Sequence, residues 1–371
     1  MADREMNRRH FTGAAAAAVG GLVTGTSNLL DAAPSKEPRV SRKSILNFNE
    51  KMEYRRLGKT GLMISAVCMG GHWKRIDKMV PGVFRDKSWL SADLDNTEFM
   101  KNRHQVVSRC IELGVNYIDA CTGEEVVTYA RALKGRRDKM YLGYSWYQKE
   151  PRRKEFRSVN KLIESLDEGL KTAGLDYVDL WRVTLPAEEL PDLAELQRIE
   201  DATFGALAKA KKDGKVRFSG ISTHNRPWLK SLIENYPNEM QVACTPYTAA
   251  SKELPTDSVF AAFRKHNVGV FGIKPFADNS LFKGDGSLSS PHKEEDNQRA
   301  RLALRYILGN PAITAPIPGI TNIEQLENAV LAVTERRKLD KAEVSQLEQV
   351  SKEMWANLRP GYQWLRDWEY V

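Results

Sequence analysis

Short apolar runs alternate with longer stretches in which apolar residues recur every three or four positions, from about residue 64 to residue 334. The short runs read as strands over 64–68, 116–119, 140–143, 177–183, 216–221, 241–244, 268–273 and 314–317. Between them, 104–113 carries Val106, Val107, Cys110, Ile111 and Leu113, and 159–170 carries Leu162, Ile163, Leu166 and Leu170. Those spacings put a single apolar stripe on a helix. Strand–helix alternation implies parallel strands, and this many repeats favour a closed barrel over an open sheet.

Two further strand-like runs flank the turn Gly58–Gly61 and predict a hairpin ahead of the barrel. Long connections follow three strands, at 72–100, 185–200 and 276–297. Active sites of such barrels sit at the strands' carboxyl ends, so these loops are candidate walls. The third, with Asp278, Gly284, Gly286 and Ser287, has the composition of a lid. A last helix is expected over 341–358, followed by a tail holding Tyr362, Trp364, Trp368 and Tyr370. So many rings would expose a large apolar area unless they dock, either over the barrel or onto a second subunit.

A length of 371 residues with 42% hydrophobic content supports one large barrel with appendages. The net charge of +8 changes little: no basic run is interleaved with aromatics, so no nucleic-acid partner is expected. The amino terminus changes more. Arg8 and Arg9 precede an alanine- and glycine-rich apolar run at 13–24, resembling a twin-arginine export signal. The run is shorter than the about 20 residues a membrane span needs. The expected division is a signal at 1–33, a polar linker at 34–51, and the barrel from 52 with an extension from about 340. Export machinery is then a partner and the periplasm or cell envelope the destination, with signal cleavage left open. Cys68, Cys110, Cys121 and Cys244 form no C-x-x-C pair, so no metal site is expected and buried free thiols are.

Several segments resemble aldo-keto reductases, in that family's order: Tyr54-Arg-Arg-Leu-Gly-Lys-Thr-Gly-Leu62, Gly114-Val-Asn-Tyr-Ile-Asp119, Leu175-Asp-Tyr-Val-Asp-Leu180 and Ile317-Pro-Gly319. The resemblance implies a (β/α)8 TIM barrel, a nicotinamide cofactor (NADP or NAD), and hydride transfer to a small carbonyl, hydroxyl or sugar ligand. In that family a tyrosine protonates the forming alkoxide, a lysine–aspartate pair tunes it, and a histidine orients the substrate. Asp119 matches the aspartate. The tyrosine position falls on Glu124 by direct counting, or on Thr122 and Gly123 if two residues are deleted. The lysine position falls on Ser145, with Tyr144 one place away, and the histidine position on Thr184.

Replacement acids are sought among Glu124, Tyr144, Tyr147, His72 and His224, and the substrate pocket among His72, Trp73, Ser145 and Thr184. On the cofactor side the resemblance points to Ser222, Thr223, Gln241, Lys274 and Gly319. It points also to Thr321, Gln325 and Asn328, with Thr321 or Asn322 capping a helix whose amino end faces a phosphate. Gln325 stands where many members place an arginine, so NADP preference is not supported. Two other readings stay open: a binding protein that has lost hydride chemistry, and acid–base sugar chemistry on Asp119 and Glu124.

Overall fold

The computed structural model describes residues 41–186, 192–336 and 338–371; the export-signal expectation and most of the linker lie outside them. Residues 41–51, the end of the expected linker, are held against the barrel. The Asn47 amide donates to Lys139 O at 2.6 Å, and the Tyr54 hydroxyl donates to Asn47 O at 3.0 Å.

Strands β1 (Tyr54–Arg56) and β2 (Met63–Ser65) form the expected antiparallel hairpin. Its turn presses against the amino end of a barrel strand: a Cβ on Gly58, at φ +47°, would stand 2.2 Å from Gly269 N. Only glycine fits that approach. Eight parallel strands follow: β3 (Met69–Gly70), β4 (Tyr117–Ala120), β5 (Tyr141–Tyr144) and β6 (Val178–Thr184), then β7 (Val216–Ser222), β8 (Val242–Pro246), β9 (Gly269–Ile273) and β10 (Ala315–Pro316). Each pairs with the next, and a Gly70–Gly319 bridge, with Gly70 N donating to Pro318 O at 2.8 Å, joins the two edges into a (β/α)8 barrel.

The first barrel strand was expected at 64–68, but that segment is split. Ser65 belongs to the hairpin, and its hydroxyl donates to Val67 O at 2.6 Å, turning the chain before β3 begins at Met69. Apolar alternation cannot register such a turn.

The helices are α1 (Thr97–Leu113), α2 (Gly123–Ala132), α3 (Val159–Ala173), α4 (Leu193–Lys212) and α5 (Arg226–Asn235), then α6 (Val259–Lys265), α7 (Lys293–Gly309), α8 (Ile323–Thr334) and α9 (Lys341–Ala356). Helix α1 starts seven residues ahead of the expected 104 because Asn96 caps it, accepting from Phe99 N. Two apolar layers result. Leu57, Ile64, Tyr117, Leu180, Phe271 and their neighbours fill the barrel, and a larger cluster lies between sheet and helices. Cys68, Cys110 and Cys244 are buried free thiols; Cys121 is partly exposed. No helix among the described residues is long and apolar enough to cross a membrane.

The aromatic tail docks over the barrel, the first of the two expected alternatives. Its 3-10 turns (Pro360–Trp368) bury Leu365 and Trp368, and the Trp368 indole donates to His224 O at 2.8 Å.

Candidate active site

A cavity of about 540 Å³ opens at the carboxyl ends of the strands. At its floor, Asp119 from β4 meets an arginine that the strand-end matching did not identify. Arg182 Nε donates to Asp119 Oδ1 at 2.7 Å, a second guanidinium nitrogen donates to Oδ2, and the Tyr117 hydroxyl donates to Oδ1 at 3.2 Å. On β6, Leu180, Arg182 and Thr184 alternate inward, so Arg182 enters from the strand expected to supply the histidine. That alternation was the available signal. Gly143 makes the room: a Cβ there would stand 2.0 Å from the Tyr117 hydroxyl and 3.0 Å from Asp119 Oδ1. Burial disfavours the guanidinium, but the Asp119 carboxylate, with the Cys244 and Cys121 sulfurs, holds its pKa well above the usual range.

Beside this pair lies a second cluster. His72 Nδ1 is 2.5 Å from Glu125 Oε1, and Cys121 Sγ lies 3.5 Å from His72 Nε2 and 3.7 Å from Nδ1. Glu125 is fully buried, and its other oxygen accepts from Cys121 N at 2.7 Å. Thr122 caps α2, accepting from Glu125 N at 3.2 Å, so Thr122-Gly-Glu-Glu125 is the Thr-x-x-Glu signature of a helix start with its carboxylate turned back over the cap. Burial opposes the His72 imidazolium, yet the Cys121 sulfur and the Glu125 carboxylate outweigh it and raise its pKa to about 9. The three donors lie within 4.8 Å of one another. At 2.5 Å, however, His72 and Glu125 are in hydrogen-bond contact. Two ligands of one zinc ion, at about 2.0–2.2 Å each, would stand roughly 3.3 Å apart.

Most of the other expected acids do not reach the cavity. Tyr144 points outward from β5: a Cβ on Gly169 of α3 would stand 2.1 Å from its hydroxyl, which is buried without a hydrogen-bond partner among the described residues. Its neighbours in β5 alternate with it, so Gly143 and not Tyr144 faces Asp119. Glu124, in the first turn of α2, does not line the cavity; nor do Trp73 and Ser145. Trp73 is core, packed edge-on against Phe99 at 5.1 Å. Ser145 and Thr184 are tied to buried Glu150, which accepts from Ser145 Oγ at 2.6 Å, Thr184 N at 2.7 Å and the Trp181 indole at 3.0 Å. Burial, the largest influence, raises the Glu150 pKa despite those bonds. His72, Tyr147, Thr184 and His224 do line the cavity. Trp364 stacks on His224 at 3.9 Å, and burial with the Lys274 charge keeps that ring's pKa well below the usual value.

The cavity extends from this floor along Ser222, Lys274 and Gly319 to Thr321, Gln325 and Asn328 at the amino end of α8. Asn322 caps α8, accepting from Gln325 N at 2.8 Å, and Gln325 Oε1 accepts from Thr321 N and its hydroxyl, both at 2.9 Å. Asn328 is engaged by Arg301 and by Asn297 O. Lys274, at φ +59°, follows β9. Burial and the nearby Lys74 charge lower its pKa to about 8, and no carboxylate pairs with it among the described residues. Lys74 is itself bound to Asp278 Oδ1 at 2.9 Å and to the Tyr362 hydroxyl at 2.8 Å. A half-buried, mutually repelling pair of lysines beside a helix amino end fits an anionic group such as a dinucleotide's pyrophosphate.

Two expected cofactor residues are elsewhere. Thr223 is buried off the cavity, accepting from Asn225 N at 3.1 Å. Gln241 sits at the amino end of β8, where Oε1 accepts from Lys211 Nζ at 2.9 Å and Ser219 N at 3.1 Å. The strand carries its cavity end at Pro246, so position 241 cannot face a nicotinamide. Gln241→Ala should leave dinucleotide affinity unchanged in a fluorescence titration. It should lower the unfolding free energy by about 1–3 kcal/mol, because Ser219 N loses its acceptor.

The aldo/keto reductase family pattern matches residues 94–352, and the chain belongs to that family. L-galactose dehydrogenase of Arabidopsis thaliana is 24% identical over 81% of this chain and 94% of its own. The 6-dehydroglucose reductase of Agrobacterium fabrum is 26% identical over 46% of this chain and 56% of its own. Among solved structures, an aldo-keto reductase of Bacillus halodurans in its holo form has a TM-score of 0.56 at 21% identity. It aligns with 81% of this chain and 96% of that one, a likeness of fold.

Proposed function

We propose that this oxidoreductase-family barrel is an exported protein that binds a nicotinamide dinucleotide and a small carbonyl, hydroxyl or sugar ligand, with weak ordinary aldehyde reductase activity. The observation that carries the reading is the floor of the cavity. Asp119 is taken by Arg182 through both oxygens, where a family member would pair it with the lysine that tunes a catalytic tyrosine. When bound, the cofactor supplies or accepts hydride. The chain's own residues hold it and exclude water: Lys274 and the α8 amino end face its phosphates, and Ser222 lies toward the floor. Tyr362 and Trp364 of the carboxyl-terminal tail also line the cavity, Tyr362 beside Lys74 and Lys274. Two relatives carry names of sugar enzymes, which supports a sugar-like ligand. Acid–base chemistry on Asp119 and Glu124 gains no support, since Glu124 is off the cavity.

Binding is tested by titrating nucleotide-free protein with NADH and with NADPH. Lys274→Met should weaken whichever binds by about tenfold or more, the value of a charge-assisted contact. No binding of either nucleotide would leave a ligand-binding protein without a cofactor. Export is tested by replacing Arg8 and Arg9 with lysine, which should retain the protein in the cytoplasm; unchanged export would remove the twin-arginine reading.

A further inference from the structure

We propose that Cys121 is a nucleophile, held as a thiolate beside the His72 imidazolium that Glu125 fixes, and that it adds reversibly to the carbonyl carbon of a small aldehyde in the cavity. The proposal rests on the small-carbonyl reading of that cavity and does not depend on the cofactor.

Four features carry it. The sulfur is partly exposed at the cavity wall, while the other three thiols are buried. His72 Nδ1 is occupied by Glu125, and the sulfur lies 3.5 Å from Nε2 and 3.7 Å from Nδ1, in close charge contact with the ring. Glu125 is fully buried and bonded to both His72 and Cys121 N, so the imidazole's orientation is set by the backbone at Cys121 itself. The surroundings are electropositive. Cys121 immediately precedes the cap of α2, so that helix's amino-terminal dipole points at it, and Arg182 from β6 and Lys274 after β9 interact with the sulfur electrostatically. The other ionisable groups facing the cluster are Tyr147 after β5 and Glu124 on α2, while Trp89 covers the His72 ring at 4.6 Å.

The step balances without oxidant or reductant. The Sγ–carbon bond forms as the carbonyl π bond breaks toward oxygen. The new alkoxide takes the proton that His72 Nε2 holds in the thiolate–imidazolium pair, and the product is a thiohemiacetal. A thiolate beside an imidazolium that a carboxylate orients is an arrangement carbonyl-directed thiols use generally. It stands next to the strand end where the family's tyrosine is missing.

The test uses full-length, nucleotide-free protein. Iodoacetamide labelling is followed by peptide mass spectrometry at pH 6, where an ordinary thiol with a pKa of about 8.5 is less than about 1% thiolate. Cys121 should label first. Its rate at pH 6 should stay within about threefold of that at pH 8, and His72→Gln should slow the pH 6 rate by about tenfold or more. With carbonyl-13C glycolaldehyde, NMR should show a thiohemiacetal carbon that Cys121→Ser removes. Should His72→Gln not fold, the wild-type pH profile alone decides: a rate that falls in proportion to an ordinary thiolate fraction overturns the proposal. A reactive Cys121 without the NMR adduct overturns the carbonyl assignment, while dinucleotide binding stays a separate question. About one equivalent of zinc co-purifying and lost on Cys121→Ser overturns it in favour of a metal site.

Discussion

Arg182→Met is expected to lower the unfolding free energy by about 3–5 kcal/mol, the usual cost of removing one member of a buried ion pair. Asp119, 5% exposed in the wild type, would keep only the Tyr117 hydroxyl, at 3.2 Å there, as a side-chain donor. Methionine nearly fills the arginine's volume, so the loss reports the uncompensated charge rather than a cavity. For the same reason Arg182→Met combined with Asp119→Asn should recover a large part of the loss. A mutant cycle by urea unfolding measures both. A single variant within about 1 kcal/mol of wild type would mean that water reaches the carboxylate and that the pair is loosely held.

The second large effect is on rate. General acid catalysis is worth about 100- to 10,000-fold, or about 3–5 kcal/mol of transition-state stabilisation. Among the described residues no tyrosine shares a hydrogen bond with Asp119 on the cavity side. Tyr117 points into the barrel core, and Tyr144 lies behind the sheet with its hydroxyl against α3. The Ser145 hydroxyl is committed to Glu150, and the Thr184 hydroxyl shares a hydrogen bond with Ser145 Oγ at 2.9 Å. An alkoxide formed by hydride transfer would therefore meet His72 or Lys274 as the available protonated groups, and neither is held by Asp119 as the family's acid would be. Tyr147 lines the cavity but follows β5 in a separate turn.

The barrel was legible because its evidence is distributed: strand runs, amphipathic helices and the framework around Gly114–Asp119 and Ile317–Gly319 all agree. The site was less so, because its members act across strands. Matching one family position at a time placed a threonine at 184 and a serine at 145, but could not show that Arg182, two residues inside β6, crosses to Asp119. Cys121 and Glu125 were overlooked since their partner, His72, is about fifty residues away in the sequence. Tyr144 and Gln241 were misassigned for opposite reasons: one faces the wrong side of its strand, and the other sits at the wrong end. Lys274, Gly319 and Ser222 do line the cavity, because they lie at strand ends, where position along the chain and position in the barrel coincide.

The barrel, as proposed, holds a dinucleotide cleft and no reductase acid at Asp119. The measurement that tests it most directly is steady-state reduction of a panel of small aldehydes, with NADH or NADPH held at concentrations that saturate the titrated site. The expected result is saturable cofactor binding with turnover far below the range of about 1–1,000 per second usual for enzymes. Turnover inside that range would contradict it, and would mean that another cavity group protonates the alkoxide as well as the family's tyrosine does.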